Sequence, residues 1–148
     1  MIHLYASAHL PLPVEPVWAL MRDFNGLPGW HPMIRHSLIE GGGAPDGVGC
    51  IRAIHTQGGD LVRERLLELS DHRHRVVYSI LESHMGVSDY VATMRLRRVT
   101  DGDTCFAEWS AQFNCAPQAE ADLRQGIGHD VFVVGLRALG ARAAQPPG

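Results

Sequence analysis

The sequence predicts an α+β domain in which helix covers one face of an antiparallel sheet and the other face meets water. Three observations support this fold class. Residues 2–10, IHLYASAHL, alternate apolar and polar side chains, as a half-buried strand does. A series of short extended segments separated by turn residues then indicates an antiparallel meander. After Pro117 the apolar spacing becomes helical almost to the end of the chain.

The elements follow in the order strand, helix, six strands, long helix. Two prolines end the first strand, and the next segment, VEPVWALMRDF, has apolar residues at helical spacing. The glycine- and proline-rich NGLPGWHP is interpreted as a loop or a single short turn. The later extended segments are residues 35–40, 48–57, 60–69, 75–82, 88–98 and 104–115.

The segment after Pro117 predicts one long helix whose apolar side chains form a stripe. The stripe comprises Leu123, Ile127, Val131, Val134 and Ala138. Each of the glycines in this helix costs about 1 kcal/mol relative to alanine. We therefore expect either a close approach of another backbone or open space beside the helix. The tail, residues 144–148, is expected to be frayed.

Length and composition fit one soluble domain spanning residues 1–148, with 45% apolar and 20% charged residues. The N-terminus lacks the basic region and apolar block of a signal peptide, and no apolar run is long enough to span a bilayer. We expect a cytoplasmic location. The net charge of −3 and the scattered arginines argue against nucleic acid as a partner.

Cysteines and histidines do not predict a metal or redox site. Cys50, Cys105 and Cys115 form no CxxC pair and are interpreted as reduced structural thiols. The closest histidines, His72 and His74, lie in a polar turn without a nearby third ligand. The sequence thus indicates no metal and no cofactor.

One hairpin breaks the expected alternation of apolar and polar residues. In GCIRAIHTQGGDLVRERLLEL, Arg52 points to the same side as Ile54, and Glu64 to the same side as Val62. Residues opposite each other on adjacent antiparallel strands can pair across the turn at residues 58–59.

The strings VGCIR, RERLLELSD, VVYSI, DYVATM and EWSAQF, in this order and spacing, resemble the START-like (SRPBCC) superfamily. More narrowly, the chain resembles the polyketide cyclase/dehydrase-type proteins, distant relatives of the plant abscisic acid receptors. The resemblance covers nearly the whole chain. It implies a helix-grip fold, a curved seven-stranded antiparallel sheet around a long C-terminal helix, with short helices after strand 1. It also implies a cavity between sheet and helix for an apolar or amphipathic small molecule.

Such a cavity explains why Arg52 and Glu64 point inward. Desolvating two ions in a packed core costs several kcal/mol each, whereas water or a polar ligand in a cavity offsets that cost. Arg52 would hold a ligand oxygen, or the pair would satisfy itself. His31 would act as a proton donor or acceptor, or be structural. In the receptors, a lysine that grips the ligand carboxylate aligns with His31. The predicted ligand-binding residues are Arg52, Glu64, His31, Ile54, Val62, Tyr78, Ile80, Tyr90, Ala92 and Trp109.

Two functions are consistent with these residues. The first is binding of a small hydrophobic or amphipathic molecule. The alternative is a polyketide cyclase or dehydratase, in which Arg52 polarises a carbonyl and His31, Glu64 or a tyrosine moves a proton. No catalytic signature is present, so catalytic residues stay unassigned. Homodimerisation through the helix and an open sheet edge is a further possibility.

Overall fold

The computed structural model describes residues 1–146 as a seven-stranded antiparallel sheet with helices on one face. The strand order is β1-β7-β6-β5-β4-β3-β2. The strands are β1 (Ile2–Leu10), β2 (Ile34–Ile39), β3 (Ile51–Thr56), β4 (Leu61–Ser70), β5 (Arg75–Glu82), β6 (Val87–Val99) and β7 (Thr104–Cys115). The predicted fold class and all seven predicted strands are confirmed, with shifts of up to three residues at their ends. Residues 147 and 148, part of the tail expected to be frayed, lie outside the described residues.

Short helices follow β1, as expected. Helix α1 (Val14–Met21) starts directly after Pro13 and buries Val14, Val17 and Trp18 against the core. The segment predicted as a loop or short turn is a 3₁₀ helix, Phe24–Gly29, which buries Phe24 and Leu27. Helix α1 contacts β6 and the C-terminal helix, the 3₁₀ helix contacts β2, and His31, shortly after the 3₁₀ helix, is buried.

The terminal helix has three parts, α2 (Glu120–Leu123), a π-helical segment (Arg124–Val133) and α3 (Val134–Ala143). The predicted apolar stripe is wrong in its second half. Val134 and Ala138 are only half-buried, and other side chains of the helix pack into the core instead. The buried apolar side chains of this half are Phe132, Leu136 and Leu139. The reason is the π-helical hydrogen bonding, i→i+5, which turns the contact face away from the 3.6-residue period assumed for an α-helix.

The core fills the space between the concave sheet face, α1 and α3. Trp109 on β7 stacks on Phe132, with ring centroids 4.9 Å apart. Phe113 and Leu139 are completely buried nearby. Among residues 1–146, no helix has both the length and the apolar character that crossing a membrane requires.

Candidate ligand-binding site

A cavity of about 100 Å³ lies between the concave sheet face and the π-helical segment. It opens towards a wider mouth of about 390 Å³, bordered by the β3–β4 turn, the β5–β6 loop and the start of the π-helical segment. The lining residues are Leu27, His31, Met33, Ile34, Arg52, Ile54, Thr56, Val62, Glu64, Tyr78, Ile80, Met85, Tyr90, Trp109, Ile127 and Val131. Most of these side chains are apolar, and the few polar ones are described below.

The structure brings all of the predicted site residues to this cavity except Ala92. Ala92 is fully buried, but its methyl group does not reach the cavity wall. It pairs with Tyr78 across β5 and β6, and the larger tyrosine extends past it. The placement expected for Ala92 is therefore wrong, because sharing a strand face with cavity residues does not give a short side chain their reach.

Arg52 and Glu64 form the ion pair expected from the hairpin. They lie directly opposite each other in the β3–β4 register, and both are at least 94% buried. Two guanidinium nitrogens contact the same carboxylate oxygen, Oε1, with Nε at 2.8 Å and Nη2 at 2.7 Å. Nη1 donates to the carbonyl of Phe24, and the guanidinium carbon lies 3.9 Å from the centroid of the Phe24 ring. The guanidinium is therefore held on several sides by the protein itself.

The two carboxylate oxygens of Glu64 differ in their hydrogen bonds, because both Arg52 contacts fall on Oε1. Among residues 1–146, Arg52 is the only side chain that donates a hydrogen bond to Glu64, and it does so at Oε1. Burial raises the pKa of Glu64, and the adjacent Arg52 charge opposes that rise. The pair thus leaves one carboxylate oxygen of this cavity-lining residue without a hydrogen-bond donor among residues 1–146.

Two buried tyrosines, Tyr78 and Tyr90, line the same cavity. The indole nitrogen of Trp109 donates to the hydroxyl of Tyr78 at 3.2 Å. Tyr90 is 4% exposed and stacks on Phe113, and its hydroxyl has no hydrogen-bond partner within residues 1–146. Burial raises the pKa of both phenols, so both keep their protons near neutral pH and can donate.

His31 has both ring nitrogens occupied. Nε2 lies 2.9 Å from the carbonyl oxygen of Val131, and Nδ1 accepts a hydrogen bond from the backbone N–H of Met33 at 3.2 Å. These partners select the neutral tautomer protonated on Nε2. Burial, chiefly, lowers the pKa of His31. The side chain therefore holds the π-helical segment to the loop after the 3₁₀ helix, and a proton-transfer role would require breaking one of these bonds.

Sequence reasoning missed part of the lining. Thr56 has the same strand parity as Arg52 and Ile54, so the alternation of β3 contained the signal for it. Met33 and Met85 come from loops, where no periodicity indicates direction. Among residues 1–146 there is no cluster of three or more His, Cys, Asp or Glu side chains that could hold a metal ion.

Comparison with known proteins identifies the family. The family model "Polyketide cyclase / dehydrase and lipid transport" matches residues 1–144. The chain belongs to this family. A search of curated proteins finds no match.

Solved structures of similar proteins agree with membership of the polyketide cyclase/dehydrase and lipid transport family. A Thermobifida fusca protein is 30% identical, with a TM-score of 0.85, over 97% of this chain and 93% of that one. The XoxI protein of Bacillus cereus is 31% identical, with a TM-score of 0.80, over 95% and 94% of the two chains. Norcoclaurine synthase of Thalictrum flavum, solved with a transition-state analogue, is 15% identical with a TM-score of 0.72 over 96% and 93%, which shows a shared fold.

Proposed function

We propose that this protein binds an apolar or amphipathic small molecule in the cavity between the sheet and the π-helical segment. The observation that carries the proposal is an apolar cavity whose lining includes two polar groups without a protein hydrogen-bond partner among residues 1–146, Glu64 Oε2 and the Tyr90 hydroxyl. In a fully packed interior, burying Glu64 Oε2 and the Tyr90 hydroxyl without hydrogen-bond partners would lower the stability of the fold. Cavities of this type, mostly apolar with a few converging polar groups, are typical of small-molecule sites. The family description, which includes lipid transport, supports the same reading.

A neutral hydrophobic dye tests the proposal directly. We expect Nile red fluorescence to rise with a saturable dependence on protein concentration. Val131→Trp should abolish this binding, because Val131 borders both the cavity and its mouth and a larger side chain would fill them. Val48→Trp is the matched control, since Val48 is 69% exposed and lines neither the cavity nor its mouth. Equal dye binding by both variants would contradict a site in the cavity.

Native mass spectrometry of protein purified from its own host complements the dye. We expect a co-purified molecule whose mass is lost in the Val131→Trp variant. A wild-type protein that carries no adduct and shows no change in melting temperature with a panel of hydrophobic metabolites would contradict ligand binding.

The cyclase or dehydratase alternative is favoured by one observation, the grouping of Glu64, Tyr78 and Tyr90 at one wall. In such a reaction Arg52 would polarise a carbonyl, and Glu64 or a tyrosine would move the proton. Turnover of a poly-carbonyl chain by wild-type protein, with a large loss in Tyr90→Phe, is the expected result for an enzyme. Wild-type turnover by an Arg52→Ala protein would refute the role proposed for Arg52.

The cytoplasmic location and homodimerisation stay predictions. Cell fractionation tests the first. Light scattering over a range of protein concentrations tests the second, and a mass equal to one chain at every concentration would contradict it.

A further inference from the structure

The cavity wall is electrically balanced before any ligand enters. Arg52 and Glu64 are its two charged lining residues within the described chain, and they carry opposite charges in contact with each other. His31, the other titratable nitrogen group of the lining, is neutral because its ring nitrogens serve one backbone carbonyl and one backbone N–H. An ionised ligand group would therefore enter without a free counter-charge, which costs several kcal/mol in a buried site.

The unused hydrogen-bonding groups are complementary in kind. Glu64 Oε2 can only accept a hydrogen bond, whereas the Tyr90 hydroxyl has a proton to donate. Both residues are more than nine-tenths buried, and both line the cavity. Glu64 on β4 lies opposite Ile80 on β5, Tyr90 lies on the next strand, β6, and all three residues line the same cavity. A group that satisfies both must donate one hydrogen bond and accept another.

We propose that the cavity selects apolar molecules that carry a neutral hydroxyl group, a phenol or an alcohol, over carboxylic acids and ethers. The hydroxyl donates to Glu64 Oε2 and accepts from the Tyr90 hydroxyl. This inference rests on the proposed function and defines the chemistry of the head group.

The dimensions indicate how such a molecule lies. The inner cavity, about 100 Å³, is the narrower part of the site and is lined by Glu64 and Tyr90, so the head group lies there. The mouth is wider and is bordered by apolar side chains such as Met85 and Ile127, which suit an alkyl or ring body.

A matched series of para-substituted hexylbenzenes separates the head groups. The probes are 4-hexylphenol, 4-hexylbenzoic acid and 4-hexylanisole, each used to displace Nile red at about pH 8, where the phenol is neutral and the acid is ionised. We expect the phenol to bind about tenfold or more tightly than either of the others, because each of them leaves a buried polar group or charge unpaired.

The outcomes are distinguishable. Benzoate binding as tightly as the phenol would overturn the selection against anions, and anisole binding as tightly would overturn the role of the hydroxyl proton. Either result leaves the proposed function intact, because the probes still bind. Nile red binding without displacement by the phenol would also overturn this inference. Failure of Nile red itself to bind would contradict the proposed function.

Variants connect the selectivity to the residues. Tyr90→Phe removes the donor to the ligand oxygen and should weaken phenol binding about tenfold, while Tyr5→Phe, the same change at a tyrosine 59% exposed on β1, should leave phenol binding unchanged. Glu64→Gln frees the Arg52 charge and should reverse the preference, so that benzoate binds more tightly than phenol. A Glu64→Gln protein that folds and keeps the wild-type preference would contradict the proposal. If Glu64→Gln fails to fold, the phenol affinity of Tyr90→Phe decides, and an affinity equal to that of Tyr5→Phe would contradict the proposal.

Discussion

The two halves of the terminal helix pack against the sheet in opposite ways. In α3, a Cβ atom added at Gly135 would lie 2.7 Å from the Trp109 ring and 2.8 Å from the His31 ring. In the π-helical segment, a Cβ added at Gly126 or Gly128 would meet nothing within 4 Å. The same residue type thus permits close contact at one end and borders open space at the other. The sequence predicted either close packing or open space beside these glycines. Close packing is found in α3, and open space is found in the π-helical segment.

The comparison shows how one core can hold a hollow. At the packed end, Leu136 and Leu139 fill the space and supply apolar burial. At the hollow end, the inner wall depends on the Arg52–Glu64 ion pair and on backbone contacts such as that from His31 to Val131. At the packed end, the free energy of unfolding should therefore depend mainly on side-chain volume. At the hollow end, it should depend mainly on the pairing of polar groups.

The largest expected effect comes from breaking the ion pair at the hollow end. Glu64→Leu leaves the Arg52 charge buried without its partner, and we expect a loss of about 3–5 kcal/mol in the free energy of unfolding. The double replacement of Glu64→Leu with Arg52→Met should cost far less, because it removes both charges together. Urea denaturation measures both. A double variant as unstable as the single one would show that the pair matters for more than mutual compensation.

Matched leucine truncations compare packing at the two ends. Leu139→Ala at the packed end should cost about 3–5 kcal/mol, because Leu139 is fully enclosed and leaves a void. Leu27→Ala should cost about 2 kcal/mol, since Leu27 already borders the cavity and has fewer contacts to lose. The measurement is again the unfolding free energy in urea. Equal losses would mean that the cavity end is packed as tightly as the other.

Alanine at the two kinds of glycine tests the helix contact itself. Gly135→Ala forces a methyl group against two rigid rings and should destabilise the protein by about 1–3 kcal/mol. Gly126→Ala adds a methyl group in open space and should stabilise it by up to about 1 kcal/mol. The melting temperatures of the two variants, compared with wild type, show whether each change stabilises or destabilises the protein. Stabilisation by Gly135→Ala would contradict the close approach.

The smallest expected effect is a pH dependence at His31. Burial lowers the pKa of the folded His31 below the unfolded value of about 6.5, so the unfolded chain binds this proton first as the pH falls. Stability from this group is complete above about pH 6.5 and declines below it, by at most about 1.4 kcal/mol per pH unit. The slope should be smaller in His31→Gln than in wild type. The exposed His72→Gln is the control, and an equal slope in both variants would contradict the assignment.

Local patterns were enough to predict most of the architecture. The alternation of residues 2–10 and 104–115 predicts β1 and β7 with the boundaries found, because the direction of a side chain on a strand depends only on its position in the strand. The same rule, applied across a short turn, predicts that Arg52 and Glu64 meet. It also predicts which face of each strand carries the cavity residues. Side-chain length lies outside that rule, which is why Ala92 does not reach the cavity.

The sequence alone determined the sheet, the helix after it and the pairing of one inward arginine with one inward glutamate, since these depend on near neighbours. Tertiary structure decided the π-helical winding, which moves Phe132 rather than Val134 into the core. It also decided that both guanidinium contacts fall on Oε1 of Glu64 and that the carbonyl oxygen of Val131 accepts a hydrogen bond from His31. These features depend on contacts between segments as far apart as His31 and Val131, and no local pattern encodes such contacts.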